Sequence, residues 1–200
     1  MPGMVTSIRA RQDAGDMPVL AEVKVRSPKE GPLLRGRDPG ELAAVYASAG
    51  AAGVSVVTEP HDFGGSLDII RRVRAAVDLP ILRKDFPRSQ AGLETLVEVN
   101  SADDITRLRE MGVTPSIVGI NNRDIAIGET DDGDVGGTEG LAASVPGGAP
   151  LLSESAISTA DDARRARDAG ADAVLVGTAI LQADDPGAKV RELVTVGWSR

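Results

Sequence analysis

The sequence contains no cysteine and few aromatic residues, and each shortage excludes some kinds of functional site. Without cysteine, a disulfide framework, a thiolate zinc site and a cysteine nucleophile are excluded. Two Phe, one Tyr and one Trp among 200 residues cannot form the stacking platform that single-stranded nucleic acids need. The core must therefore be built from Ala, Val, Leu and Ile.

Basic residues and long apolar runs are also scarce. The 22 Lys and Arg are outnumbered by 30 Asp and Glu, and the net charge of -8 argues against general nucleic-acid binding. No stretch approaches the roughly 20 apolar residues of a membrane span, and residues 1–21 lack the pattern of a signal peptide. We therefore expect a cytoplasmic protein that binds neither nucleic acid nor membrane, present as a monomer or weak homo-oligomer.

His61 is the only histidine, so a Ser-His-Asp triad would have to include it. One imidazole among carboxylates is also a poor zinc site. The residues around His61, which include Pro60 and Asp62, indicate an exposed loop. We expect His61 to be solvated and no metal to be bound.

Seven short apolar runs predict β-strands that are buried on both faces, because the runs are continuous and do not alternate with polar residues. They are Val19–Val25, Gly53–Thr58, Pro80–Leu82, Thr95–Val99, Ser116–Ile120, Pro150–Leu152 and Ala171–Val176. The amphipathic stretches between them predict helices at Pro39–Ala49, Ser66–Val77, Ala102–Met111, Thr159–Ala169 and Asp184–Val194. N-caps are expected at Asp38, Ser66, Ser101 and Ser158.

Alternating strands and helices predict a parallel sheet with helical crossovers, in one domain over residues 1–200. Gly50, Gly112 and Gly170 precede three of the strands, and each is expected to end a helix in the left-handed conformation. Closed barrels and open doubly wound sheets share these features. The acidic, Gly-rich residues 124–140 lack the ligand pattern of a calcium loop and predict a mobile surface loop.

Polar residues interrupt or end six of these runs, at the end where parallel barrels carry their chemistry. They are Glu22 and Lys24, Thr58 and Glu59, Arg83 to Asp85, Glu98, Asn121 to Arg123, and Ser153 to Ser155. One such residue is readily explained as an exposed strand end or a buried ion pair. Six strands in succession favour a shared site, because burying these groups is costly unless they are paired or used.

Two carboxylates and two lysines facing one mouth predict acid and base chemistry, with mutual interactions that separate their pKa values. Lys84 lies next to other cations and is therefore a candidate acid with a lowered pKa. A Schiff base on Lys84 or Lys24, as in aldolase barrels, is the alternative. The spacing of the residues leaves both open.

Two loops of small residues predict a phosphate site. Ser155-Ala156-Ile157 and Gly177-Thr178-Ala179 follow the sixth and seventh runs, where backbone N–H groups can approach an anion closely. The loops after the last two strands are the usual phosphate site of eight-stranded barrels. The alternative is that Thr178 and Ser158 are simply helix N-caps.

Seven motifs in order across residues 20–182 resemble the indole-3-glycerol phosphate synthase family. They are Ala21-Glu22-Val23-Lys24 with Ser27-Pro28, Ser55 to Glu59 with Phe63 to Ser66, Leu82 to Phe86, Leu96 to Val99, Gly119 to Asp124, Ser153 to Ser155, and Leu175 to Thr178. The resemblance implies a TIM-type (β/α) barrel of parallel strands. It also implies a carboxy-lyase of tryptophan biosynthesis that needs no cofactor or metal and binds a small phosphorylated substrate. The alternatives are a phosphosugar-binding barrel without turnover and a related phosphosugar isomerase or aldolase.

The resemblance also implies roles for individual residues. Lys84 would be the general acid of ring closure and Glu98 the proton-transfer group of dehydration. Glu22 and Lys24 would hold the reacting centre and the substrate carboxylate, and Asn121 and Arg123 would position hydroxyl and charged groups. The implied substrate-binding residues are Arg123, Glu154, Ser155, Ala156, Gly177 and Thr178.

The chain departs from this family in length and at single positions. Only Pro87–Leu93 remain where the family has a helix, a strand and a helix, which leaves seven recognisable strands. Closure of the barrel should therefore be incomplete, strained or completed by a partner chain. The 18 residues before the first strand are too few for the family's extra N-terminal segment over the mouth. Ala156 replaces a usual glycine, and Lys29 replaces a small polar residue.

Overall fold

A seven-stranded parallel sheet is the centre of the computed structural model, which describes residues 3–84, 93–112, 114–123 and 134–198. In chain order the strands are β1 (Val19–Val23), β2 (Arg26–Ser27), β3 (Gly31–Pro32), β4 (Gly53–Val57), β5 (Ile81–Lys84), β6 (Leu96–Val99), β7 (Ile117–Asn121), β8 (Leu151–Glu154) and β9 (Ala173–Val176). The short strands β2 and β3 form a hairpin after β1. The other seven make the sheet, and each coincides with a predicted run.

The helices of the described ranges are α1 (Met4–Asp13), α2 (Pro39–Ser48), α3 (Leu67–Ala76), α4 (Ala102–Glu110), α5 (Gly136–Leu141), α6 (Ala160–Ala169), α7 (Thr178–Gln182) and α8 (Pro186–Val194), with a 3-10 turn at Ala142–Ser144. Five of them were predicted, whereas α1, α5 and α7 were not. None of the described helices combines the length and apolar character that crossing a bilayer requires.

Most of the predicted helix ends are confirmed. Asp38 accepts hydrogen bonds from the N–H groups of the first turn of α2, and Ser101 does the same for α4. Ser66 occupies the N-cap position of α3 without a side-chain bond. The prediction for Ser158 is wrong by one residue, because Thr159 forms a capping box at the start of α6.

The glycines expected at helix ends have the predicted backbone conformation. Gly50, Gly112 and Gly170 all have positive φ angles, of 96°, 61° and 120°. A side chain would be strained at such angles, so glycine lets the chain turn from each helix toward the next strand.

The sheet curls into an incomplete barrel. Its strand order is β5-β4-β1-β9-β8-β7-β6, which leaves β5 and β6 at the two edges. Lys84 on β5 nevertheless reaches Glu98 on β6, with 3.5 Å between Nζ and Oε1. Every residue of β1, β4, β7, β8 and β9 is buried, whereas none is in β5 and only Val99 is in β6. The expected seven-stranded, incomplete barrel is confirmed.

Alternation along the strands divides the barrel interior into two levels. The lower level, at the amino ends of the strands, is an apolar floor cluster of Met4, Ile8, Leu20, Ala52, Ile117, Leu152, Ala173 and Leu175, with Leu82 and Leu96 packed against it. Side chains two residues along a strand share a face, so the next inward positions after Leu20, Leu82, Leu96 and Leu152 are Glu22, Lys84, Glu98 and Glu154. The upper level is therefore polar.

Helix α1 closes the floor of the barrel. Ser7 Oγ donates to the carbonyl of Ala52 at 2.5 Å, and Gln12 Nε2 donates to the carbonyl of Asp172 at 2.9 Å. Met4 and Ile8 enter the floor cluster, and fully burying one such side chain contributes about 1.5–3 kcal/mol. The segment before β1 therefore lies opposite the predicted mouth and does not cover it, as its length led us to expect.

Asp172 links three elements of the floor, so its loss should weaken the fold. Its carboxylate accepts hydrogen bonds from Leu151 N–H at 2.9 Å, Arg9 at 2.9 Å and Gln12 at 3.3 Å. Asp172→Ala leaves buried donors without an acceptor, and we expect it to lower the free energy of unfolding by about 2–3 kcal/mol. Urea denaturation measures this. Asp168→Ala, on the exposed face of α6, is the control and should change stability by less than about 0.5 kcal/mol. Equal losses in the two variants would contradict the role of Asp172.

Candidate active site

The upper level of the barrel brings together charged and amide side chains from five strands or strand ends. They are Glu22 from β1 and Lys24 just after it, Lys84 from β5, Glu98 from β6, Asn121 from β7 and Glu154 from β8. All lie at the carboxyl end of the sheet, which the sequence predicted to be the mouth. Lys84, Glu98, Asn121 and Glu154 are joined by contacts of 2.5–3.5 Å. Glu22 and Lys24 form a second pair, 3.1 Å apart, and Lys84 acts electrostatically on Glu22.

Lys84 is the centre of this cluster. Its Nζ lies 2.5 Å from Glu154 Oε2 and 3.5 Å from Glu98 Oε1, and 22% of its side chain is exposed. Burial alone would lower its pKa, but the carboxylates of Glu154, Glu22 and Glu98 outweigh burial and raise it.

The predicted lowering of the Lys84 pKa is therefore wrong. Its sequence neighbour Arg83 is directed to the other face of β5, where Nε donates to Thr58 Oγ1 at 3.1 Å. Neighbours in sequence are thus not neighbours in the barrel. Lys84 is a firmly protonated ammonium held by carboxylates.

Glu154 is completely buried and occupies an unusual position. Oε2 accepts from Lys84, whereas Oε1 has no hydrogen-bond partner among the described residues. Burial raises the pKa of Glu154 to about 7, with Lys84 opposing the rise and Glu98 and Glu22 adding to it. Near neutral pH this carboxyl exchanges a proton readily.

Glu22 is buried in a pairing that has the opposite effect. Its Oε1 lies 3.1 Å from Lys24 Nζ, and Ser55 Oγ donates to Oε2 at 3.5 Å. Burial would raise the pKa of Glu22, but Lys24 and Lys84 outweigh it and lower the pKa. The pKa values of these two carboxyl groups are shifted in opposite directions, because burial dominates for Glu154 whereas the two lysines dominate for Glu22.

Three residues at the carboxyl end of β7 divide into two roles. Asn121 Nδ2 donates to Glu98 Oε2 at 3.4 Å, and Asn121 Oδ1 accepts from the Arg123 N–H at 3.1 Å. Asn122 is directed away from the cluster. Its Nδ2 donates to the Glu154 carbonyl at 3.0 Å, and its Oδ1 accepts from Thr138 N–H at 2.8 Å. Asn121 therefore belongs to the site, whereas Asn122 supports it.

The contact with Thr138 corrects the predicted loop. Residues 136–140 belong to helix α5, and both Val135 and Thr138 are fully buried. The rest of the predicted mobile loop, residues 124–133, lies outside the described residues. Asp85 also lies outside them. The Gly-rich composition therefore led to a wrong prediction for α5, a helix whose one buried residue is Thr138.

Thr58, Glu59 and His61 do not join the cluster. The Glu59 carboxylate accepts hydrogen bonds from the backbone N–H groups of His61, Asp62 and Phe63 at 2.7–3.1 Å. His61 is exposed, as expected for a solvated loop position. Glu59 thus shapes the loop after β4. Within the described ranges, no three metal-binding side chains lie close enough to hold an ion.

The two loops predicted to bind phosphate follow the paired strands β8 and β9. Ser155 and Ala156 both adopt positive φ angles, of 64° and 59°. Gly177 is the N-cap of α7 and Thr178 its first helical residue, so the simple N-cap alternative is wrong for both Thr178 and Ser158. A Cβ on Gly177 would overlap Glu22 Oε1. Gly177 therefore gives the Glu22 carboxylate its space.

The sequence reasoning missed two small residues that complete the site. Ser55 pairs in register with Glu22 and donates to it. Gly119 lies in β7 between Glu98 and Leu152, and a Cβ there would overlap Glu154 Oε1. A glycine inside an apolar strand is a recognisable sign of close approach, and it was the available signal for Gly119.

Comparisons with known proteins agree on one family. The model of the family described as indole-3-glycerol phosphate synthase matches residues 3–90 and, separately, 87–193. Curated proteins of that name are 38% identical in Pyrococcus furiosus and 37% in Thermococcus kodakarensis, with 93% and 94% of this chain and 95% and 96% of the relatives covered. A Nocardioides relative of the same name is 40% identical over 89% of this chain and 80% of its own length.

The length of the alignments supports the missing unit. The Pyrococcus alignment spans 220 positions, more than the 200 residues of this chain, so the relative has segments without a counterpart here. The family match is divided into two parts that overlap at residues 87–90, within the predicted shortened stretch. A solved structure, (S)-3-O-geranylgeranylglyceryl phosphate synthase of Thermoplasma acidophilum, covers 98% of both chains with a TM-score of 0.56 and 15% identity. That likeness concerns the fold.

The raised pKa of Glu154 predicts a specific loss of stability with pH. The folded carboxyl has a pKa of about 7, above its unfolded value of 4.5. Its contribution is therefore fully present below about pH 4.5 and is lost as the pH rises through about 7. Between pH 5 and 8 we expect the free energy of unfolding of the parent to fall relative to Glu154→Gln, by up to about 3 kcal/mol. Urea denaturation across this range measures the difference. Glu110→Gln, at an exposed glutamate, should parallel the parent, and parallel curves for Glu154→Gln would contradict the prediction.

The left-handed conformation of Ala156 predicts that glycine stabilises the loop. Alanine at a φ of 59° is strained by about 1–2 kcal/mol, part of which the greater freedom of glycine in the unfolded chain offsets. Ala156→Gly should therefore raise the free energy of unfolding by about 0.5–1 kcal/mol in urea denaturation. Ala166→Gly, in the interior of α6, is the control and should lower it by about 1 kcal/mol or more. Destabilisation at both positions would show that Ala156 is not strained.

Proposed function

The chain belongs to the indole-3-glycerol phosphate synthase family, a family of carboxy-lyases of tryptophan biosynthesis, and on that premise we propose how its residues divide the catalytic work. The reaction closes an indole ring on 1-(2-carboxyphenylamino)-1-deoxyribulose 5-phosphate, with loss of CO2 and water. The observation that carries the proposal is the Lys84 contact set. Lys84 on one edge strand meets Glu98 on the other and Glu154 inside the sheet, so the acid and base groups stay together although a βα unit is missing.

Lys84 is proposed as the general acid of ring closure. Attack of the aromatic carbon on the substrate carbonyl creates negative charge on the carbonyl oxygen, and a positioned ammonium stabilises that charge and donates a proton. The raised pKa of Lys84 is compatible with this step, because the developing alkoxide is a stronger base than an amine. A protonated amine is a poor nucleophile, so the raised pKa argues against the Schiff-base alternative.

Glu98 is proposed as the proton-transfer group of the dehydration. Its side chain is 28% exposed, and one of its carboxylate oxygens faces Lys84 while the other accepts from Asn121. Removing the hydroxyl formed in ring closure requires that one group donate a proton and another accept one. Glu98 and Lys84, 3.5 Å apart, are close enough to serve the same reacting centre in succession.

The remaining residues are proposed to hold the substrate. Lys24 is proposed to bind the carboxylate that leaves as CO2, and its ion pair with Glu22 supports a fixed orientation of its amine. Arg123 is proposed to position hydroxyl or charged groups of the substrate, and Glu154 and Ser155 to complete the mouth around it. Backbone N–H groups near Ala156, Gly177 and Thr178 are proposed to bind the phosphate, because these residues are small and follow neighbouring strands.

The proposal extends to the environment of the protein. A cytoplasmic location suits a biosynthetic enzyme whose sequence has no cysteine, and a monomer or weak homo-oligomer suits a site built from one chain.

Fluorescence of the indole product tests this assignment. We expect Lys84→Ala and Glu98→Gln to lower kcat by about 100-fold or more, since each removes a proton-transfer group. Lys189→Ala, on helix α8, and Glu110→Gln, on α4, remove the same side-chain types outside the Lys84 contact set and should retain parental kcat. Substrate binding, measured by calorimetry, should persist in Lys84→Ala. A parent that binds the substrate but forms no more product than Lys84→Ala would show a binding protein and sink the catalytic proposal.

A further inference from the structure

Gly119 has no backbone reason to be glycine. It lies in the middle of β7, in register with Glu98 on one neighbouring strand and Leu152 on the other. Its φ angle is not among the positive ones of the described glycines, so other residues could adopt its conformation. Glycine in the interior of a strand costs about 0.5–1 kcal/mol relative to alanine. The position therefore sacrifices stability for another purpose.

That purpose is visible in the space above the Gly119 Cα. A Cβ at this position would overlap Glu154 Oε1 and would lie 3.2 Å from Leu96 Cδ1. Glu154 Oε1 is fully buried and has no hydrogen-bond partner among the described residues, so packing against Gly119, and not a polar partner, defines its position. The other oxygen of the same carboxylate lies 2.5 Å from Lys84 Nζ.

We propose that Gly119 is a positioning residue, whose missing side chain creates the space in which the Glu154 carboxylate is held against the Lys84 amine. A methyl group at position 119 displaces a flexible carboxylate and not the backbone, so the fold tolerates it. The added methyl group instead changes the position of the Lys84 amine, the proposed general acid. A displacement of about 1 Å in a catalytic site can lower the rate by about 100-fold. The inference rests on the proposed role of Lys84.

Gly53 offers a matched control. It also lies in a strand with its Cα facing the barrel interior, but at the floor, where a Cβ would meet the Met4 side chain at 2.6 Å. Gly53→Ala therefore displaces the flexible end of a side chain, as Gly119→Ala does, but far from the charged cluster. A general effect of filling space in the barrel should appear in both variants.

The first test compares kinetics. Gly119→Ala should lower kcat by about 10- to 100-fold with a smaller change in KM, whereas Gly53→Ala should stay within about threefold of the parent. Glu154→Asp shortens the side chain by one methylene and leaves room for the new methyl. In that background, Gly119→Ala should cost less than about threefold, because the two changes act on the same contact. Multiplicative losses in the double variant, or equal losses in Gly119→Ala and Gly53→Ala, would overturn the proposal.

A second readout is independent of turnover. The titration of the Glu154 carboxyl, followed by carbon-13 NMR and assigned with Glu154→Gln, should shift its midpoint by more than about 0.5 pH unit in Gly119→Ala and remain unchanged in Gly53→Ala. An unshifted midpoint in Gly119→Ala would overturn the positioning role even in an active enzyme. A shifted midpoint in a parent that forms no product would support the positioning role while the proposed function fails.

Discussion

The structure depends on burying the charged pair of Lys84 and Glu154 inside an apolar barrel. Glu154 is completely shielded from water, and moving an unpaired carboxylate into such a place costs several kcal/mol. The ammonium of Lys84 offsets this cost only if the two groups stay in contact, which fixes the relative position of β5 and β8. Burial still outweighs the attraction of Lys84, and the pKa of Glu154 therefore rises to about 7. Chemistry and packing at the mouth thus have one physical origin.

The sequence predicted the strands well because each is buried on both faces, and continuous apolar runs are a strong signal. It predicted the mouth because polar residues repeatedly end those runs. Helix α1 was missed since only Met4, Ile8 and Gln12 of its ten residues are buried, and a short polar segment shows little periodicity. The direction of the Lys84 pKa was wrong for a related reason. Adjacent residues of a strand face opposite sides, so the charges that matter to Lys84 come from β1, β6 and β8, which no local pattern reveals.

Glycine and small residues determine how much charge the upper level can hold. Gly119 and Gly177 lie on strands or strand ends beside Glu154 and Glu22, and a Cβ on either would occupy the place of a carboxylate. The barrel thus has room for large acidic side chains because the positions next to them have no side chain. Close packing of the interior requires this pairing of large and small residues. Gly119 and Gly177 therefore belong to the site, although in the sequence a glycine more often indicates a turn or a helix end.

The missing βα unit leaves an opening between β5 and β6 that is bridged at both levels of the barrel. At the mouth, Lys84 on β5 contacts Glu98 on β6. At the floor, Met4 N–H donates to Glu94, just before β6, while the Met4 side chain packs beside Gly53 on β4, the neighbour of β5. Leu82 and Leu96, one from each edge strand, pack against the same floor cluster. An edge strand normally exposes unpaired backbone and separates easily from a distant edge. Here a polar contact above and a helix below hold the two edges at a fixed distance, and that distance keeps the proposed acid within reach of the proposed base.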